Sequence, residues 1–164
     1  MVANPQIILI DGPAGSGKTT LSKELSEKLN CQVVHLDDHY NGWDEALSND
    51  LTQALLKIVS NFSNGRPSEI PTFNWLKAKF EGSRVIEPAN TLIIEGVGSG
   101  QSQIRPFASK LYWVETEPEI GLARVLERDG KEYEERIKSW QIREASHFQV
   151  ERTRDFADFI ISTT

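Results

Sequence analysis

Gly12-Pro13-Ala14-Gly15-Ser16-Gly17-Lys18-Thr19 is the stretch of this chain whose residue types and spacing are best suited to chemistry. Its glycines let backbone N–H groups converge on the oxygens of a phosphate, and the segment opens a helix, whose first amides favour an anion. Lys18 adds a full positive charge. Thr19, with Thr20 behind it, sets a hydroxyl where a magnesium ion bridging two phosphates takes an oxygen ligand. The order G-x-x-x-x-G-K-T, after a strand and into a helix, is that of a phosphate-binding loop, and the nucleotide it suits is a triphosphate such as ATP.

Acids stand at matching places further along. Asp37 and Asp38 follow a second apolar run, where a carboxylate faces the loop and can accept a proton from a substrate hydroxyl. Glu95 ends the run Leu92-Ile93-Ile94-Glu95 and is a candidate magnesium ligand, direct or through water. Arg124 and Arg128 are four apart, so they share a helical face and can close over a transferring phosphoryl group; surface pairing with nearby glutamates is the competing reading. His35, His39 and His147 have no Ser or Cys partner in a recognisable elbow and read as structural. The rhythm Asp37, His39, Asn41, Gly42 imitates a calcium loop, but its twelfth position is Ser48 where glutamate is needed.

The elements that must hold these residues follow from periodicity. Short apolar runs at residues 6–10, 32–36, 91–94, 111–114 and 158–161 predict five buried strands. Helical spacing covers residues 18–29 and 45–62, then a helix to Arg128 that begins with Thr116 and Glu119 as a capping box around Pro118. Residues 131–156 read as a long charged helical stretch, open to interruption, and residues 66–90 as a short hairpin or covering loop punctuated by Pro67, Pro71 and Pro88. Strand and helix alternate, which gives an α/β fold with a five-stranded parallel sheet and helices on both faces. Its ligands bind beyond the carboxyl ends of the strands, where Asp11, Asp37, Glu95 and Glu115 fall.

Composition narrows the function classes. At 164 residues the chain is read as one domain, residues 1–164, and 38% apolar with 26% charged residues is globular. A net charge of −6 argues against a nucleic-acid-coating surface, and no run is apolar enough for a membrane span. The opening lacks the marks of a secretory signal, so the cytoplasm is expected. Cys31, the single cysteine, reads as a packing residue.

The residues together resemble the uridine kinase and phosphoribulokinase group of phosphate-loop kinases. Leu36 to Tyr40 is similar to that group's Asp-x-aromatic-Tyr element, which implies Asp37 as the acid-base residue near magnesium and Tyr40 beside it. Ile70-Pro71-Thr72-Phe73-Asn74-Trp75 resembles the substrate segment, Leu92 to Gly96 the strand with the metal-associated glutamate, Leu122 to Asp129 the lid helix, and Arg154 to Ile161 the final strand; the run from Arg105 to Thr116 is similar too. Asn74 stands where uridine kinases have a nucleoside-contacting aspartate, Ala78 near their histidine, and His39 in place of an aromatic. The resemblance implies a three-layer α/β/α P-loop NTPase fold with an acceptor-site loop over residues 66–90 and a helical lid over 124–135.

The expected activity is transfer of the γ-phosphate of ATP, with Mg2+, to a hydroxyl of a small metabolite. Lys18, Asp37, Arg124 and Arg128 would be catalytic, Thr19, Asp37 and Glu95 would hold the metal, and Tyr40, Phe73, Asn74 and Arg105 would face the acceptor. A nucleoside-monophosphate kinase is the alternative, left open by Arg66, Arg84 and Arg105. A regulatory nucleotide switch is less favoured, because no Asn-Lys-x-Asp or Asp-x-x-Gly occurs. The acceptor's identity and the oligomeric state, a homo-oligomer included, stay open.

Overall fold

The computed structural model describes residues 4–164; residues 1–3, part of the opening read as no secretory signal, lie outside the described residues. Among the described residues, seven strands and four α-helices follow one another as β1 (Gln6–Asp11), α1 (Lys18–Leu29), β2 (Gln32–His35), α2 (Asn49–Ser63), β3 (Ser68–Asn74), β4 (Lys79–Ile86), β5 (Thr91–Glu95), β6 (Lys110–Glu115), α3 (Pro118–Asp129), α4 (Glu134–Glu151) and β7 (Phe159–Ser162). The main sheet has the order β2-β5-β1-β6-β7 with every pairing parallel. It is the five-stranded parallel sheet that the apolar runs predict.

β1 lies at the centre, and its side chains alternate between two cores as the pleat requires. Ile7 and Leu9 join Leu92, Ile94, Leu55, Ile58 and Phe62 on the face covered by α2. Ile8 and Ile10 join Ile93 and Val114 on the other face, against Leu21 and Leu25 of α1. Burial on both faces explains why these strands read as continuous apolar runs. Leu29, the third leucine of the α1 stripe, is 44% exposed, because the helix ends at Asn30 in a left-handed turn beyond the sheet.

Residues 66–90 resolve into an antiparallel hairpin, β3 with β4, that stands apart from the main sheet. Three local expectations are corrected. β2 stops at His35, and Leu36–Asp38 forms one tight 3-10 turn closed by the His39 N–H on the Leu36 carbonyl. α2 starts at Asn49 because Ser48 is extended and its hydroxyl accepts from the Leu51 N–H, a side-chain cap that fixes the start four residues after Glu45. The capping box does not form, since Glu117 is the cap residue of α3 and makes no side-chain bond, while Pro118 fills the first helical position. The charged stretch 131–156 is interrupted: a short turn at Lys131–Tyr133 precedes α4, which ends at Arg152 with φ of 53°.

No helix among the described residues is long and apolar enough to cross a membrane. The α2 face supplies the larger core, so truncating Phe62, 1% exposed, is expected to cost about 3–5 kcal/mol of unfolding free energy. Urea unfolding of Phe62→Ala beside wild type measures it.

Candidate active site

The phosphate-loop segment leaves β1 through Gly12 at φ 145°, Gly15 at 74° and Gly17 at 110°, a left-handed path that other residues rarely follow. Space excludes them as well: a Cβ on Gly12 would enter the Val114 backbone, and one on Gly15 the backbone of Gly121. Gly121, in α3, has no sequence signal of its own; it lets the helix come so near that a Cβ there would lie 2.6 Å from the Ala14 carbonyl. The loop ends at the N-terminus of α1, whose first turn carries no acid to compete with an anion. Lys18 folds back so that Nζ donates to the Pro13 carbonyl at 2.8 Å, and Ser16 is buried while Thr19 and Thr20 are exposed.

Two buried carboxylates tie the loop to its surroundings. Asp11 accepts from the N–H groups of Gly12 (2.7 Å), Gly98 (3.2 Å) and Gly100 (2.9 Å), joining the turns after β1 and β5. Burial pushes its carboxyl above the usual aspartate range. Glu144 of α4, 4% exposed, accepts from the Ala14 N–H. Sequence patterning gave no hint of Glu144, which lies within a helix of mixed charge.

An open cavity of about 960 Å³ has the loop as one wall, with Lys18, Thr19, Asp37, Glu95, Arg124 and Arg128 among its lining. Burial raises the Asp37 carboxyl, and the neighbouring charge of Glu95 raises it further. His35 Nδ1 is 2.7 Å from Glu95, a bond that draws the imidazole pKa upward, so this histidine supports a site acid and is more than packing. His39 is structural, its Nδ1 on the Pro71 carbonyl at 2.8 Å. The two arginines differ. Arg124 donates to the Gly15 carbonyl (3.0 Å) and Thr163 Oγ1 (2.9 Å), bracing the loop, whereas Arg128 is exposed and forks onto Asp129 at 2.8 and 2.9 Å.

Part of the lining is aromatic. Trp43 has Trp75 at 5.5 Å, Tyr133 at 6.5 Å and Trp140 at 6.4 Å between ring centroids, and Tyr40 lies 5.6 Å from Trp140. All five line the cavity. Of these the sequence points to Tyr40 and, within the substrate-like segment, Trp75; the Tyr40 hydroxyl donates to the Val97 carbonyl at 2.6 Å. Trp75 reaches in from the hairpin and donates its indole N–H to the Asp37 carbonyl at 2.8 Å.

The other expected acceptor residues do not line this cavity. Phe73 is buried beneath Trp75 and Phe80, at 4.9 and 5.3 Å. Asn74 turns its side-chain oxygen onto the N–H groups of Leu76 and Lys77, closing the hairpin turn. Arg105 donates to the Gly100 carbonyl at 2.8 Å and lies over the Phe156 ring at 4.2 Å. Short polar and cationic side chains near a turn found local partners first.

Residues 8–149 match the family model described as AAA domain. The chain belongs to this AAA-domain family. Among similar proteins, a uridine kinase of Staphylococcus haemolyticus (strain JCSC1435) is 28% identical over 98% of this chain and 88% of its own length. A uridine kinase of Limosilactobacillus reuteri (strain DSM 20016) is 25% identical over 96% and 83%. The solved structure described as "a Possible Uridine Kinase from Bacillus stearothermophilus" superposes with a TM-score of 0.68 at 20% identity, over 98% of this chain and 90% of that one, a likeness of fold.

For this AAA-domain chain the donor set fits magnesium. Thr19, Asp37 and Glu95 offer hard oxygens, and the mutual repulsion that raises Asp37 is what a divalent cation relieves. No cluster of three or more metal-ligating His, Cys, Asp or Glu occurs among the described residues.

The two arginines separate by stability. Arg124→Ala removes two charge-assisted bonds and is expected to lower unfolding free energy by about 1–3 kcal/mol, while Arg128→Ala, losing an exposed pair, changes it by less than about 0.5 kcal/mol. Denaturant melts of the two variants read the difference.

Proposed function

We propose that this chain is an ATP-dependent phosphotransferase that moves the γ-phosphate of ATP to a hydroxyl of a neutral, ring-bearing small metabolite, a kinase of the uridine kinase type. The observation that carries the proposal is one cavity lined at once by Lys18 and phosphate-loop glycines, by Asp37 and Glu95, and by a cluster of five aromatic side chains. The uridine kinase relatives support the same reaction.

In this reading the segment Gly12 to Thr20 cradles the triphosphate, and Lys18 leaves the Pro13 carbonyl to meet the outer phosphates. Thr19, Glu95 and Asp37 would hold magnesium, which would supply positive charge to offset that of the phosphates. Asp37 orients the acceptor hydroxyl and takes its proton as the oxygen bonds to phosphorus and the bond to the ADP oxygen breaks. Though Asp37 opens onto the cavity, the protein packed around it and the neighbouring Glu95 charge hold its carboxyl above the usual aspartate range, and a raised carboxyl is a stronger base. Arg128, free of the loop, meets the charge that develops on the transferring group, and Arg124 keeps the loop in shape.

Tyr40, Trp43, Trp75, Tyr133 and Trp140 offer faces for stacking a planar ring. A phosphorylated acceptor is disfavoured: Arg84 is spent on the Val33 carbonyl, Arg105 on Gly100, and neither they nor Arg66 lines the cavity. Hairpin residues 66–90 then form the acceptor side and residues 124–135 the lid of one kinase unit. A cytoplasmic setting, with ATP abundant, accords with this.

A screen of nucleosides and other ring-bearing alcohols with ATP and magnesium, read by ADP release, is expected to find an acceptor for wild type. Asp37→Asn is expected to lose about 10²–10⁴-fold in kcat on that acceptor while still binding ATP. An unchanged kcat would remove Asp37 from the chemistry.

A further inference from the structure

Glu144 is the buried acid that the reaction above leaves without a role. Both its carboxylate oxygens accept from one phosphate-loop amide, Ala14 N–H, at 3.1 and 3.2 Å, across 130 residues of sequence. Ala14 itself lines the cavity, so an anion built into α4 already sits on the loop whose business is to receive anions. Trp140, one turn earlier on α4, lies beside Glu144 and at the same time forms part of the aromatic lining.

The groups that face Glu144 are few. Lys18 from α1 attracts it and Asp11 from the end of β1 repels it. Tyr40 feels its charge from the turn after β2, and His147, the next turn of α4, sits by Asp11. With one ammonium shared between Asp11 and Glu144, the balance is already short of positive charge before any phosphate arrives. Burial, ahead of these charges, lifts the Glu144 carboxyl to about 7. A triphosphate entering the loop takes Lys18 for itself and adds negative charge in a low-dielectric setting, where the least costly response of a buried carboxylate is to bind a proton.

We propose that Glu144 is a positioning residue linked to protons: as a carboxylate it holds the Ala14 amide of the empty loop, and it takes up a proton when the polyphosphate enters. The inference rests on the nucleotide-binding reading above. Protonation cancels the charge that would oppose the phosphates and loosens the grip of α4 on the loop, so nucleotide arrival is felt at Trp140 on the acceptor wall. The sign follows from linkage: a group whose pKa is higher in the complex binds protons on association, so ATP affinity falls as pH rises above the free-state value.

Titration calorimetry of magnesium-ATP into the full chain at about pH 8, in buffers of different ionisation enthalpy, counts these protons. Wild type is expected to take up roughly half to one proton per nucleotide more than Glu144→Gln, which cancels the nucleotide's own titration in the comparison. Wild-type affinity is expected to weaken by up to about tenfold per pH unit between pH 8 and 9, with Glu144→Gln flat. Binding with equal proton counts in the two proteins overturns the inference and leaves the kinase reading standing. No binding heat in wild type at any pH overturns the kinase reading itself. Should Glu144→Gln fail to fold, a flat wild-type affinity over that pH range overturns the inference alone.

Discussion

Backbone pressed on backbone is the constraint from which the rest of this structure follows. The turn joining β1 to α1 runs against the Val114 main chain at Gly12 and against the Gly121 main chain at Gly15, with no side chain between. Three segments distant in sequence are thereby locked to one another at the carboxyl edge of the sheet. Once they are, the amides of the turn, the start of α1 and the ends of β5 and β6 can only face the same space, and the parallel topology delivers its acids there.

That space is unusually acidic for a place meant to receive an anion. Asp11, Glu95 and Glu144 are withdrawn from water while Asp37 opens onto the cavity, and Lys18, Arg124 and Arg128 are there to set against them. The protein manages the excess by spending backbone amides on two of the acids, Asp11 and Glu144, and a histidine on a third, Glu95. Buried charges persist when they are hydrogen-bonded, and these bonds also stiffen the loop. Asp37 is left as the acid with the least compensation, which is the condition under which a carboxylate is worth most as a base.

The loop, the five strands and the positions of Asp37 and Glu95 were legible because they depend on local pattern: apolar runs, glycine spacing and a strand-to-helix switch. What stayed hidden depends on contacts between distant segments. Trp43, Tyr133 and Trp140 become one wall only when α4 packs beside the turn after β2, and nothing in their spacing announces it. Gly121 looks like an ordinary weak point in a helix until Ala14 is placed against it. Phe73, Asn74 and Arg105 differ in the opposite way, since motif likeness points them at the acceptor while ring packing, a hairpin turn and a neighbouring carbonyl hold them away from this cavity. Helix starts shifted for a smaller reason, because a cap such as Ser48 fixes the first turn wherever its hydroxyl meets an amide.

Thr163 donates its hydroxyl to the Ser16 carbonyl at 2.6 Å and accepts from the Arg124 that braces Gly15. A loop residue is therefore braced by one 147 positions further along the chain. Contacts of such sequence separation are the last to form when a chain is made from its N-terminus. The phosphate loop acquires this bracing only once β7 has docked, so the stiffness of the loop depends on the edge of the sheet farthest from β2 as much as on the turn itself.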